Sequence, residues 1–182
     1  MNKFYPMKNT LLLIVDVQNA IADKKPYLFD QVLSNIKTLL SKFRELKKPV
    51  IFIQHDDGKG SELEVNTYGW EIVKDIAPLP GERIIAKKFN SAFRETGLEM
   101  ELHDMQIQKL IVVGLQTEFC IDTTIRVAFE IGFEVILPEA TNTTIDGKFL
   151  KAKDIYDHHH HIFNNRFAKV VAMQEVLKAL KE

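Results

Sequence analysis

The chain carries one cysteine, Cys120, in Gly114-Leu115-Gln116-Thr117-Glu118-Phe119-Cys120, between the apolar run Leu110-Ile111-Val112-Val113 and a helical pattern. A thiol at a strand-to-helix turn has helix-start amides around it, which favour thiolate over thiol and can hold a substrate oxyanion. That is nucleophile chemistry, and it leads one to expect alkylation well below the ordinary thiol range near about 8.5. A lone intracellular cysteine is more often a small buried hydrophobe, so its position rather than its identity raises the case.

Two other strand ends carry charge. The first apolar run closes in Val15-Asp16-Val17-Gln18 and the third in Ala86-Lys87-Lys88. Asp16 alone reads as a loop cap or a surface pair. A carboxylate ending so apolar a strand must nevertheless find a cation or donor, because burying its charge in isolation costs several kcal/mol or forces protonation. Strand alternation sends Lys87 and Lys88 to opposite sides, and periodicity leaves both open as that cation.

Composition narrows the partners. With 182 residues, a formal net charge of -1 and no Lys/Arg cluster, nothing suggests a nucleic-acid groove or an anionic membrane surface, and a small-molecule substrate is expected. One cysteine excludes an intrachain disulfide and a multi-thiolate zinc site. The start Met1-Asn2-Lys3-Phe4-Tyr5-Pro6 lacks a signal-peptide apolar stretch, so a reducing cytoplasm is expected.

These residues need a scaffold. Apolar runs at Leu11 to Val17, Val50 to Ile53, Ile84 to Ala86, Leu110 to Val113, Phe133 to Leu137 and Ala168 to Ala172 read as buried parallel strands. Between them, Val32, Ile36, Leu39, Leu40 and Phe43 share one face of a helix ended by Pro49, and Leu98, Leu102 and Met105 mark another. A third helix runs from about Phe119 to Ile131, with Ile125 and Phe129 inward and Gly132 at its end. A fourth spans about Gly147 to Phe163, capped by Asp146 or Thr144. The alternation predicts one α/β domain over 1–182: a three-layer α/β/α, doubly wound, mostly parallel sheet of about six strands in Rossmann-like order 3-2-1-4-5-6. In that order the third strand is not beside the fourth, so a lysine from it needs a loop bending back across the sheet to reach Asp16. The long polar stretch from His55 to Pro80 reads as a pocket wall or a subunit contact. The tract His158 to His161 reads as a partly exposed helix end near whose carbonyls protonated histidine is welcome, rather than as a metal site.

Together the motifs carry a resemblance. Leu12-Leu13-Ile14-Val15-Asp16-Val17-Gln18, then Lys87-Lys88-Phe89-Asn90-Ser91-Ala92-Phe93-Arg94-Glu95-Thr96-Gly97-Leu98, then Gly114 to Thr124 resemble the isochorismatase-like cysteine hydrolases, a superfamily that includes nicotinamidases and N-carbamoylsarcosine amidase. The resemblance picks Lys87 over Lys88, because the family lysine stands six residues before the phenylalanine of a Ser-Ala-Phe-like segment. It implies a catalytic Asp16-Lys87-Cys120 triad, a cis Leu115-Gln116 peptide, an oxyanion hole from the Gln116 and Cys120 N–H groups, and a homodimer or homotetramer.

The implied activity is hydrolysis of a C–N bond in a small amide, carbamoyl or lactam compound through a thioester, with no cofactor. Nicotinamidases add an Asp-x-His and a further His that ligate a metal. The matching stretch here, Gln54 to Ser61, lacks that set, so no catalytic metal is expected. True isochorismatases lack the nucleophilic cysteine, and Cys120 argues against their reaction. Gln18, His55, Asp57, Trp70, Phe93 and Glu118, with Gln116, Asp56 and Phe89, are candidates for lining the pocket. The competing readings are a thiol redox sensor, which would need an external resolving thiol, and a non-catalytic small-ligand binding protein on the same fold.

Overall fold

The computed structural model describes residues 7–181, so the Met1 to Pro6 stretch lies outside the described residues. Its strands are β1 (Thr10–Val15), β2 (Val50–His55), β3 (Arg83–Lys87), β4 (Lys109–Leu115), β5 (Glu134–Pro138), β6 (Asn142–Thr143) and β7 (Lys169–Val171). All pair in parallel in the order β3-β2-β1-β4-β5-β7, and the two-residue β6 pairs with the end of β4. The order matches the sequence expectation. The addition is β6, too short and too polar to show an apolar period.

The helices are α1 (Asn19–Ala22), α2 (Phe29–Glu45), α3 (Leu98–Asp104), α4 (Asp122–Glu130), α5 (Ala152–Ile162) and α6 (Met173–Ala179). Alternate residues of β1 feed two cores. Leu12 and Ile14 pack with Ile36, Leu40 and Phe43 of α2 and Val176 of α6. Leu11, Leu13 and Val15 pack with Leu98 and Leu102 of α3 and Ile125 and Ala128 of α4. A strand covered on both faces has no polar side, which is why these runs read as continuous apolar stretches.

Several boundaries move. As the edge strand, β3 turns only Ile85 and Lys87 inward, and Ile84 is exposed rather than buried. Past α3 the chain turns at Gln106, leaving Met105 exposed while Ile107 takes the buried place. The inward stripe of α4 is Ile125 and Ala128. Phe129 lies exposed, edge-on to Phe167. That helix starts at Asp122, after a π turn over Thr117–Ile121. α5 starts at Ala152, later than the sequence suggests, and Asp146 Oδ1 accepts the Ala152 N–H at 2.9 Å, so Asp146 rather than Thr144 serves its start. α2 ends at Glu45, with Lys47 at φ 53° turning the chain before Pro49.

The long stretch after β2 is anchored to the segment following β1. Val73, Glu71 and Gly69 exchange backbone hydrogen bonds with Val17, Asn19 and Ala20, and Ile76 is buried in the core. It therefore walls the carboxyl ends of β1 and β2. Among the described residues no helix is long and apolar enough to cross a membrane.

Candidate active site

The site begins where β1 and β4 run side by side. Gly114, at φ 128°, pairs with Val15, and a Cβ there would lie 2.0 Å from the Val15 carbonyl oxygen. Only glycine allows that approach. One strand then hands over to Asp16 and the other to the Cys120 turn. Asp16 leaves β1 in a left-handed conformation, φ 51°, which aspartate tolerates better than most residues. Its N–H donates to Ile53 O at 3.0 Å, and its carbonyl accepts the Gln18 N–H at 2.9 Å.

Lys87 arrives from the far side of β2. Neighbouring strands lie about 4.8 Å apart, so β3 is roughly 10 Å from β1, a gap that an extended lysine and an aspartate close together. No loop bends back: Lys87 is the last residue of β3, in register with His55, and its side chain spans β2 there. Its Nζ lies 2.6 Å from Asp16 Oδ2, 2.8 Å from His55 Nδ1 and 3.2 Å from Cys120 Sγ. Both charged side chains are sealed, Lys87 at 0% and Asp16 at 1% exposure, whereas Lys88 is 76% exposed beside Asp56. The Asp16, His55 and Cys120 donor atoms all lie within 4.8 Å of one another.

Burial decides the electrostatics. It raises the Asp16 carboxyl above its ordinary value, with the Lys87 charge pulling it part-way back. Burial, then the Asp16 charge, pushes the Cys120 thiol up to about 12, against the opposing pull of Lys87. The resting thiol is protonated, which reverses the expectation of a readily ionised cysteine. Helix-start amides are outweighed by desolvation and by an anion already present. Losing the thiol proton to solvent would place two anions against one ammonium. Passing it to Asp16 moves the single anion from oxygen to sulfur and leaves the net charge unchanged. Asp16 Oδ2 faces the Lys87 ammonium at 2.6 Å, which leaves Oδ1 open to that proton.

The remaining candidates divide. His55 is buried, with Nδ1 on Lys87 and Nε2 on Asp57 Oδ1 at 2.7 Å, so both ring nitrogens are taken. Gln18 is also fully engaged: its amide donates to His55 O and Trp70 O at 3.0 and 2.8 Å, and its oxygen accepts the His55 N–H at 2.9 Å. Gln54 donates to the same Trp70 carbonyl. Trp70 thus contributes its backbone to this clasp, while its indole Nε1 is buried without a partner. Phe93 stacks on Phe133 and packs against the core, and Arg94 lies over the Phe89 ring. Asp56 caps Gly58 at 2.7 Å.

A second clasp holds the turn that carries Cys120. Thr117 Oγ1 donates to Asn142 Oδ1 at 2.8 Å, and Asn142 Nδ2 donates to His160 Nε2 at 2.8 Å. Glu118 Oε1 accepts from Thr144, whose hydroxyl accepts from Gln116 Nε2. The Leu115–Gln116 peptide is cis, and the Gln116 carbonyl accepts the N–H groups of Phe119 and Ile121. His160 was missed from sequence. Ala152, Ile155 and Phe163 set a helical stripe on which position 160 falls, so His160 is buried while His158 and His161 are exposed. Burial lowers the His160 pKa to about 4.

Asp16, His55 and Cys120 have metal-ligand chemistry, but the Lys87 ammonium contacts all three. The cation of this donor set is a tethered one.

Residues 10–175 match the isochorismatase domain family. The chain belongs to the isochorismatase family. It is 30% identical to the uncharacterized isochorismatase family protein YddQ of Bacillus subtilis over 181 residues, 93% of this chain and 99% of that protein. It is 32% identical to a streptothricin hydrolase of Streptomyces noursei over 137 residues, 74% of this chain but only half of that protein's length. A crystal structure of an isochorismatase family protein superposes with a TM-score of 0.85 at 32% identity, covering 91% of this chain and 99% of that one. N-carbamoylsarcosine amidase from Thermoplasma acidophilum, at 19% identity and a TM-score of 0.75, shares the fold.

Two outcomes follow for this isochorismatase domain. In Asp16→Asn the only anion left to balance Lys87 is the thiolate, so the thiol ionises well below about 12. Iodoacetamide labelling of Cys120 at neutral pH is expected to become faster than in the wild type, by about tenfold or more. His160, at about 4 when folded against an ordinary 6.5, supports the fold fully above pH 6.5 and loses that support as pH falls toward 4. The loss is on the order of 3 kcal/mol in urea denaturation, and a His160→Leu variant is expected to lose that part of the pH dependence.

Proposed function

We propose that this protein is a cysteine hydrolase that cleaves the C–N bond of a small amide, carbamoyl or lactam compound through a thioester. The observation that carries the reading is the contact of one buried ammonium with a carboxylate, which can take the thiol proton, and with the thiol itself. Relatives named streptothricin hydrolase and, at 27% identity, ureidoacrylate amidohydrolase RutB of Cronobacter sakazakii support it.

In this reading Asp16 takes the proton of Cys120 while Lys87 holds the charge that forms on sulfur. The thiolate attacks the carbonyl carbon, and the backbone N–H groups of Gln116 and Cys120 receive the oxyanion, where a donor is commonly worth about 2.7–4 kcal/mol. Asp16 returns its proton to the leaving nitrogen, the C–N bond breaks and a thioester remains. The Asp16 carboxylate then takes a proton from water, the resulting hydroxide attacks the thioester, and the expelled thiolate recovers that proton as the acid departs.

A redox sensor fits less well. Sensor cysteines are accessible and ionise readily, whereas burial and Asp16 push this thiol up to about 12.

The test is ammonia or amine release from a panel of small amides, carbamoyl compounds and lactams. Cys120→Ala, Asp16→Asn and Lys87→Met are each expected to lower kcat by about 10³-fold or more. Because the Asp16 and Cys120 pair holds one proton between them, kcat/KM is expected to rise through a midpoint above 3.8 and to show no break in the ordinary thiol range of about 8.5–9. A panel in which none is cleaved, or cleavage that survives Cys120→Ala, contradicts the reading.

A further inference from the structure

We infer that His55, held by Asp57, is a positioning residue for the nucleophile: it fixes the Lys87 ammonium so that one N–H bond stays aimed at Cys120. This deepens the proposed hydrolase reading and rests on it for its catalytic meaning.

An ammonium has three N–H bonds, and in a sealed site each needs a place. Lys87 has three contacts: Asp16 Oδ2 at 2.6 Å, His55 Nδ1 at 2.8 Å and Cys120 Sγ at 3.2 Å. Sulfur is the longest and weakest of these. With the His55 contact gone, the free N–H bond and the space left by the imidazole let the ammonium turn away from sulfur.

The role depends on one tautomer. Lys87 can only donate, so His55 Nδ1 must offer its lone pair and the ring proton must sit on Nε2. Asp57 Oδ1, 2.7 Å from Nε2, accepts that proton and makes the tautomer the favoured one. His55 is itself fixed, its N–H to Gln18 Oε1 and its carbonyl to Gln18 Nε2, and it stands in strand register with Lys87. Asp57 is 56% exposed, so it can be changed without opening the core. His55 and Asp57 are therefore not free to bind substrate in this arrangement, and their contribution passes through the lysine.

The test uses the thiol itself, so it stands whether or not a substrate has been found. The rate of Cys120 alkylation by iodoacetamide is measured against pH for the wild type, His55→Ala, His55→Asn, Asp57→Asn and Asp57→Ala, with thermal unfolding as the control for folding. His55→Ala is expected to react about tenfold more slowly at pH 9. His55→Asn, which keeps an acceptor near the Nδ1 position, is expected to remain within about threefold of the wild type. Asp57→Asn still accepts the Nε2 proton and is expected to change little, while Asp57→Ala falls between. Where a cleaved substrate is in hand, His55→Ala lowers kcat and leaves KM unchanged. A folded His55→Ala with the wild-type alkylation profile overturns the proposal, and if that variant does not fold, Asp57→Ala with the wild-type profile does so. Failure of every variant and the wild type to release ammonia would instead count against the hydrolase reading, without bearing on the alkylation result.

Discussion

A lysine ammonium stripped of water needs a counter-charge, and the cavity around Lys87 offers two groups able to supply one, Asp16 and Cys120. Both cannot be ionised at once without leaving an excess anion in a low-dielectric space, where the effective penalty is several kcal/mol. One proton is therefore shared between an oxygen and a sulfur. Burial raises both the thiol and the carboxyl, and the Asp16 charge raises the thiol further. A thiol that keeps its proton in this way is quiet toward stray electrophiles.

The rest of the fold serves that placement. Gly114 lets β4 approach Val15 closely, Asp16 turns left-handed to leave β1, and the β2–β3 register stations His55 beside Lys87. Two polar clasps brace the strand ends. Gln18 and Gln54 converge on the Trp70 carbonyl on one side, and Thr117, Asn142 and His160 hold the Cys120 turn on the other. Their side chains are satisfied mainly by one another, which fixes the strand ends that carry Asp16, Lys87 and Cys120.

Much of this was legible in the residues. The unbroken apolar runs announce a sheet covered on both faces, and polar residues at strand ends mark the edge where Asp16, Lys87 and Cys120 meet, so Asp16 and Cys120 stand out. Lys87 and Lys88 could not be separated by alternation, because the period shows that they face opposite ways but not which way is in. The β3 register settles it. The thiol's ionisation was misread because helix-start amides are visible in sequence and the burial and anion that outweigh them are not. His55 and Gln18 looked like pocket lining because a polar side chain at a strand end has no visible partner until the neighbouring strand and the long loop are placed. His160 is legible in principle, since the stripe set by Ala152, Ile155 and Phe163 includes it, although four consecutive histidines carry no period of their own. β6 was not legible, because two polar residues carry no pattern.

The single cysteine makes the central claim open to direct measurement, because any S–H stretch in the infrared spectrum belongs to Cys120. A proton shared between Asp16 and Cys120, resting on sulfur, predicts an S–H band at pH 7 that persists through pH 10 and vanishes in Cys120→Ala. A wild-type spectrum at pH 7 with no S–H band would show the cysteine resting as a thiolate and would contradict the account.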